Sequence, residues 1–267
     1  MNVLITFILI SVCSTLLYLY LHKKTHISIH YLYKDNVVNI VLSVLALKLL
    51  FHSGSWPWYV WAFGILVTVS GLCVVLAMIR FYRIPLRKTN MTPKGIVSPA
   101  DGNIIYVKKV EAGEIPISVK NGISAKLSEF ANTGLLDYPC WLIGINMTPF
   151  DVHKNCAPIE GKIILNKHFD GEFLSLKHQE ALIRNERNTI VLDSKIGKIG
   201  IVQTASRLVR RIVTYKSEGD TLVKGEWFGM IKFGSQVDLI LPASCKVLVG
   251  LKDQVYAKKS LIAIIKE

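Results

Sequence analysis

Four short stretches of the chain carry side chains whose chemistry goes beyond packing. They are "SPADG" with Asp101, "MTPFDVHKNCAP" with His153, "RNERN" at residues 184–188, and the pair Gly234-Ser235 within "KFGSQVDLILP". A histidine titrates near neutral pH and can move protons, a carboxylate can orient it, and a serine hydroxyl can act as a nucleophile. Taken alone, each stretch also has an ordinary explanation as a turn, a buried histidine or a helix end.

The serine is the least expected of these residues, because it interrupts a strand. Apolar residues alternate with more polar neighbours here, which predicts a β-strand with one apolar face formed by Phe233, Val237, Leu239 and Leu241. Ser235 falls on that face directly after Gly234, and glycine removes side-chain packing from a strand interior. The pattern therefore places a hydroxyl and an unshielded backbone where a buried apolar side chain is expected.

The part of the chain before these motifs contains apolar segments near the N-terminus. Of the 267 residues 51% are apolar, and the excess lies in uncharged runs at residues 3–21 and 56–79 and in a shorter run at 37–51 that contains Lys48. As a helix, the run at 56–79 is about 36 Å long, enough to cross a bilayer. No basic residue precedes the first run, so we interpret it as a retained anchor rather than a secretory signal.

Basic residues flank the apolar runs and predict their orientation. Lys23, Lys24 and Lys34 follow the first run, and Arg80, Arg83, Arg87 and Lys88 follow the third. If both clusters are cytoplasmic, the runs at 37–51 and 56–79 form a hairpin and the N-terminus faces outward. The sequence thus predicts an anchor at residues 1–80 in the cell (inner) membrane, with the following domain on the cytoplasmic side.

The charge and the cysteines narrow the choice of partners and compartment. The net charge is +13, and residues 1–94 hold nine Lys or Arg against one Asp, which favours anionic lipid headgroups. We find no zinc-finger spacing, RNA-recognition motif or basic helix, so nucleic acid is not the predicted partner. The five cysteines form no CxxC pair, which favours a reduced compartment without structural disulfides.

Residues 81–267 show the pattern of a β-rich domain. Short β-branched runs alternate with glycine, as in "APIEGKIILN" and "LVKGEWFGMIKFGS", whereas only "GEFLSLKHQEALIRNER" is helical over part of its length. The predicted fold class is therefore α+β, with a β-dominated catalytic domain of barrel-sandwich-like strands preceded by N-terminal transmembrane helices.

Together, the motifs resemble the phosphatidylserine decarboxylase family over roughly residues 81–242. The resemblance rests on "FYRIP", "SPADG", "DVHKNCAP" followed by Gly161, "NERN", "GDTLVKGEWFGMIKFGS" and "VDLILP", in that order. The order Phe-Gly-Ser-x-Val-Asp and the compact length are more similar to the shorter, archaeal-type branch than to the long branch, whose processing motif reads Leu-Gly-Ser-Thr.

The resemblance implies that the chain makes its own cofactor. In the family, the serine attacks the carbonyl of the preceding glycine, the resulting ester eliminates, and the dehydroalanine hydrolyses to a pyruvoyl group. Cleavage between Gly234 and Ser235 would give a β chain of residues 1–234 and an α chain of residues 235–267, 33 residues long. The pyruvoyl group from Ser235 would form a Schiff base with the serine headgroup of an anionic phospholipid, giving phosphatidylethanolamine without a metal ion.

The resemblance also suggests roles for the two titratable residues. His153 is the best candidate for proton transfer, and Asp101 matches the family's aspartate associated with self-cleavage, either orienting a histidine or helping to activate the serine. Long-branch members have a second histidine where this chain has Cys156. Either His153 serves both maturation and decarboxylation, or Asp101 acts through water, and the sequence leaves both open.

Three other classes of protein are alternatives, and each has its own requirement of substrate or sequence. An archaetidylserine decarboxylase would share the same headgroup chemistry with an ether-linked lipid. A non-catalytic, membrane-tethered barrel-sandwich module of the lipoyl or biotinyl type needs a lysine at a hairpin tip, and a lysostaphin-type zinc endopeptidase needs an HxH pair, which the seven histidines do not form. The oligomeric state, including a homo-oligomer, is open.

Overall fold

The computed structural model describes residues 3–25, 29–52, 54–111, 131, 133–172, 174–175, 181–206, 212–232 and 235–266. The chain divides into two compact units, Met1–Arg83 and Ile84–Glu267. The N-terminal unit consists of the helices α1 (Val3–Thr25), α2 (Ile29–Leu50) and α3 (Trp58–Tyr82). The segments Leu4–Lys24 and Trp58–Tyr82 are long and apolar enough to cross a membrane.

The helix α2 carries the polar residues of the N-terminal unit, and these bind the neighbouring helices. Asp35 near its start forms a salt bridge with Arg80 near the end of α3, so α2 and α3 run antiparallel. Asn36 accepts a hydrogen bond from Ser14 on α1 at 2.6 Å, and Asn39 donates to the Val69 carbonyl on α3 at 3.2 Å. Paired polar groups explain why α2 begins at Ile29, well before the apolar run at 37–51.

The C-terminal unit is built from fourteen described strands and one short helix. The helix is α4 (Ala181–Arg184), within the stretch expected to be partly helical, of which residues 173 and 176–180 lie outside the described residues. The strands are β1 (Gly95–Val97), β2 (Gly102–Val110), β3 (Cys140–Met147), β4 (Lys154–Cys156), β5 (Gly161–Phe169), β6 (Arg187–Ser194), β7 (Gly197–Ala205), β8 (Ile212–Thr214), β9 (Thr221–Leu222), β10 (Trp227–Ile231), β11 (Ser235–Pro242), β12 (Cys245–Val247), β13 (Gln254–Val255) and β14 (Leu261–Ile265).

The strands form one large sheet and two small ones. The large sheet has the order β13-β2-β3-β11-β7-β6-β5-β9, and its pairs are antiparallel. The small sheets have the orders β1-β14-β12 and β4-β10-β8. The predicted fold class, a β-dominated α+β domain after apolar N-terminal helices, is confirmed.

The strand β11 lies inside the large sheet and is buried on both faces. Val237, Leu239 and Leu241 belong to the main hydrophobic core, whereas Ile240 packs in a second cluster on the opposite face. The predicted alternation is therefore correct for one face, and the second face is covered as well. A strand covered on both sides holds its residues in a fixed register, which matters for the residue at its start.

Candidate active site

The structure places Ser235 at the first position of β11, between two partner strands. It pairs with Met147, the last residue of β3, and with Ala205, the last residue of β7. Residues 233–234 lie outside the described residues, so the glycine of the predicted cleavage site does too. The backbone at position 235 is therefore fixed from both sides by the ends of two strands.

His153 lies on a loop whose two ends adjoin the strands on either side of the Gly-Ser pair. The loop leaves β3 after Met147, the partner of Ser235, and enters β4 at Lys154, which pairs with Met230 of β10. The Ile231 amide, at the end of β10, donates to the His153 carbonyl at 3.1 Å. Since β10 ends at Ile231 and β11 begins at Ser235, the histidine loop joins a partner of one of these strands to a partner of the other.

The His153 side chain is held in a state suited to accepting a proton. The ring is fully buried, and its Nδ1 lies 2.9 Å from the Asp151 carbonyl oxygen, which can only accept a hydrogen bond. Nδ1 therefore carries the proton, and the neutral ring has its lone pair on Nε2. Burial lowers the pKa of His153 to about 4, although the bond to Asp151 opposes this shift. The imidazole is thus neutral at pH 7 and available as a base.

Asp101 forms a salt bridge with Arg87, whose charge was interpreted above as orienting the membrane segments. Arg87 donates to both carboxylate oxygens, from Nη1 at 2.5 Å and from Nη2 at 2.7 Å. The Ala257 amide also donates to Oδ1, at 2.8 Å, and the carboxylate is almost completely buried. The structure therefore assigns Asp101 a place in a buried ion pair, which fixes the "SPADG" turn to the chain at Arg87 and Ala257.

Cys156 lies against the same turn. Its amide donates to the Pro99 carbonyl at 2.9 Å, and its thiol donates to the Ser98 carbonyl at 3.3 Å. Burial raises the pKa of the Cys156 thiol to about 12, and the nearby charge of Asp101 adds to the rise. A thiol with this pKa stays protonated at neutral pH, so Cys156 does not supply the base that a histidine at this position could supply.

The glycine of "SPADG" is required by a close backbone approach. A Cβ atom on Gly102 would lie 2.3 Å from the Asn146 carbonyl oxygen, far inside van der Waals contact. Only glycine allows the turn to lie this close to Asn146 of β3. The residue after Asn146 is Met147, which pairs with Ser235.

The "NERN" motif supports the strand on the other side of Ser235. Asn185 Nδ2 donates to the Ala205 carbonyl at 3.0 Å, and the Ala205 amide donates to the Glu186 carbonyl at 3.0 Å. Glu186 also accepts a hydrogen bond from the Ile212 amide at 3.1 Å. These bonds fix the end of β7 at the residue that pairs with Ser235, so the motif is part of the framework of the site.

A second buried polar cluster lies beside β11, formed by Tyr106, Gln236 and Asp238. The tyrosine hydroxyl donates to the Asp238 carboxylate, and Gln236 Nε2 donates to Asp238 Oδ1 at 2.9 Å. Burial raises the pKa of Asp238 to about 7, although both hydrogen bonds oppose the rise. Gly144 lies between them on β3, and a Cβ there would come within 2.5 Å of the Tyr106 ring. The glycine thus allows the tyrosine to reach across β3 to Asp238.

The chain was compared with models of known protein families. The family model described as phosphatidylserine decarboxylase matches residues 75–263. The chain belongs to the phosphatidylserine decarboxylase family. The match covers all four motifs and most of the C-terminal unit, so the predicted family is confirmed, and the family supports a carboxy-lyase activity for this chain.

Two archaeal members of the phosphatidylserine decarboxylase family, both provisionally named archaetidylserine decarboxylase proenzymes, are similar over most of their length. The protein from Methanothermobacter thermautotrophicus is 35% identical over 213 residues, which cover 76% of this chain and 85% of the relative. The protein from Methanocaldococcus jannaschii is 36% identical over 193 residues, 72% of this chain and 91% of the relative.

The structure brings some of the predicted site residues together and gives others separate places. Ser235 and His153 lie on adjoining chain segments, whereas Asp101 is fixed by Arg87 beside Cys156. Arg87, Tyr106 and the buried Gln203 were not among the predicted site residues. Within the described residues, no group of three His, Cys, Asp or Glu side chains could hold a metal ion.

Proposed function

We propose that this chain is a self-processing, pyruvoyl-dependent decarboxylase of membrane lipids with a serine headgroup. The precursor would cleave itself between Gly234 and Ser235, and both chains would stay in one protein. The observation that carries the proposal is the position of His153, on a loop that adjoins both strands flanking the Gly-Ser pair. The proenzyme names of the two archaeal relatives support cleavage of a precursor.

Self-cleavage would begin with the Ser235 hydroxyl. As its oxygen attacks the Gly234 carbonyl carbon, the proton passes to a base, and His153 has the neutral ring and the lone pair on Nε2 that this step needs. The proton then passes to the nitrogen of Ser235 as an ester replaces the peptide bond, and loss of the Ser235 Cα proton expels the Gly234 carboxylate and leaves dehydroalanine at position 235. Addition of water and loss of ammonia then leave the pyruvoyl group.

The site residues have corresponding tasks in decarboxylation. The pyruvoyl group would withdraw electrons from the headgroup carbon that loses its carboxylate. His153, whose ring is neutral at rest, would take up a proton from the substrate amine and return it to that carbon. Arg87 and Asp101 would form the rigid support of the "SPADG" turn. The close packing of Gly102 against Asn146 keeps that support next to β3.

The headgroup and not the lipid tail defines the proposed substrate. The relatives' names refer to archaetidylserine, whose serine phosphate headgroup is that of phosphatidylserine. The helices Leu4–Lys24 and Trp58–Tyr82 would anchor the chain in the cell membrane, and the run at 37–51 would return the chain so that both groups of basic residues and the catalytic unit lie on the cytoplasmic side. Both lipids are therefore proposed substrates.

The test is release of carbon dioxide by the purified full chain in detergent micelles. Diacyl and ether-linked serine lipids, labelled in the serine carboxyl group, are supplied separately. We expect release from at least one lipid, with none from Ser235→Ala and wild-type release from Ser217→Ala, which changes an exposed serine. Absence of release from both lipids by a chain that has cleaved itself would contradict the proposed reaction.

A further inference from the structure

The two residues that the proposed reaction brings together belong to different sheets. Ser235 begins β11 in the eight-stranded sheet, whereas His153 directly precedes β4 in the sheet β4-β10-β8. Proton transfer requires a donor and an acceptor within hydrogen-bond reach. The spacing between these two sheets therefore controls whether His153 can serve the group at position 235.

Gln203 makes a direct side-chain bond between the two sheets. It lies on β7 in the large sheet, and its Nε2 donates to Asn155 Oδ1 at 2.8 Å. Asn155 lies on β4, two residues after His153, and both carboxamides are completely buried. A hydrogen bond in a dry interior is stronger than one in water, and leaving either partner unpaired there is costly.

The bond is part of a longer chain of side chains that ends beside Ser235. Gln203 Oε1 accepts from Asn188 Nδ2 of the "NERN" motif at 3.3 Å. At the other end, Asn155 Nδ2 lies 3.9 Å from the sulfur of Met147, the residue that pairs with Ser235. The carboxamide of Gln203 is therefore oriented from both sides, with its donor toward β4.

The local packing makes room for this carboxamide. Gly229 of β10 lies above it, and a Cβ there would be 3.3 Å from Gln203 Nε2 and 2.8 Å from the Val213 carbonyl oxygen. The glycine allows the small sheet to approach the large one closely at this point. A substitution at position 203 thus changes the contact between the sheets without touching the reacting atoms.

We propose that Gln203 is a positioning residue for the active site. By holding Asn155, it fixes β4 and therefore His153 at the distance from position 235 that proton transfer requires. The inference rests on the proposed function, because the reaction supplies the readout. A displacement of about 1 Å at a reacting group can lower a rate by about 10²-fold, even when the substitution lies away from the chemistry.

The test replaces Gln203 with methionine, which has a similar volume and length but no amide hydrogen bonds. The full chain in detergent is assayed for self-cleavage by mass spectrometry and for decarboxylation, with kcat counted per cleaved chain. We expect kcat of Gln203→Met to fall by about 10²-fold, with KM for the lipid essentially unchanged because headgroup binding is not altered. The same substitution at the edge strand, Gln254→Met, should leave kcat and cleavage unchanged.

A purely structural role would give a different pattern. Gln203→Met would then lower the melting temperature and the yield, but the chains that mature would turn over at the wild-type kcat, and that result would overturn the inference. Asn155→Ser tests the same bond from the other side if the methionine variant does not fold. Its kcat should fall similarly. The double variant Gln203→Met with Asn155→Ser should be no slower than the slower single variant, because both substitutions remove the same hydrogen bond.

The failure of the inference can be separated from failure of the proposed function. A wild-type chain that neither cleaves nor decarboxylates would refute the function and the inference together. A wild-type chain that does both, beside Gln203→Met and Asn155→Ser variants with the same kcat, would refute only the role of Gln203.

Discussion

The ion pair between Arg87 and Asp101 gives a quantitative prediction. Replacing Arg87 with methionine removes the donor to both oxygens of a carboxylate that is almost completely buried, and leaves it the Ala257 amide. A buried charge that loses its partner has no water to replace it, so its desolvation is no longer offset. We therefore expect a large loss of stability from a single substitution.

The expected magnitude follows from the burial of the pair. The Asp101 side chain is 1% exposed and that of Arg87 is 13% exposed, so screening by solvent is small. Breaking such a pair by removing one partner lowers the free energy of unfolding by about 3–5 kcal/mol. Replacing both residues, as in Arg87→Met with Asp101→Asn, removes the unpaired charge. The double variant should regain most of the lost stability, since the asparagine oxygen can still accept from Ala257.

The assay is denaturant unfolding of the full chain in detergent, followed by tryptophan fluorescence. Lys88→Met is the control, because Lys88 is the exposed neighbour of Arg87 and should unfold like the wild type. An Arg87→Met variant within about 1 kcal/mol of the wild type would refute the argument. So would a double variant less stable than Arg87→Met.

Three further predictions concern pH and packing. Because burial lowers the pKa of His153 to about 4, activity should persist as the pH falls below 6.5, and the acid limb of kcat against pH should lie near pH 4; a limb near 6.5 would contradict the buried neutral ring. The pKa of Asp238 is raised to about 7, so between about pH 4 and pH 7 the folded chain binds a proton that the unfolded chain has lost, and the free energy of unfolding should fall as the pH rises through this range. Asp238→Asn should flatten this slope in thermal melts. An unchanged slope would contradict the raised pKa of Asp238. Gly144→Ala should lower the free energy of unfolding by about 1–3 kcal/mol, because its Cβ would lie 2.5 Å from the Tyr106 ring; unchanged stability would contradict that packing.

Local sequence patterns were enough to predict the main elements. Alternation in residues 233–241 predicted the strand that begins at Ser235, and uncharged runs predicted α1 and α3. These features depend on residues near one another in sequence, where side-chain period and apolar length decide the structure. The start of α2 at Ile29 was not predicted, because its polar residues are satisfied by other helices.

Long-range partners explain what the sequence did not reveal about the site. Arg87 follows an apolar helix and was interpreted as a membrane-orienting charge, yet it pairs with Asp101 within the C-terminal unit. Gln203 lies in "GIVQTAS", an ordinary strand pattern, and its partner Asn155 is 48 residues away. The proximity of Cys156 to Asp101 follows from the path of β4 beside the "SPADG" turn. Such pairings depend on sheet topology, which a local pattern does not specify.

The most direct test of the central claim is the intact mass of the purified protein under denaturing conditions. We predict two chains, residues 1–234 and residues 235–267, with the 33-residue chain lighter by one ammonia than a chain that begins with serine. Ser235→Ala should remain a single chain of 29.9 kDa. A wild-type protein that stays at 29.9 kDa, yet decarboxylates serine lipids fully, would contradict self-processing at Gly234-Ser235.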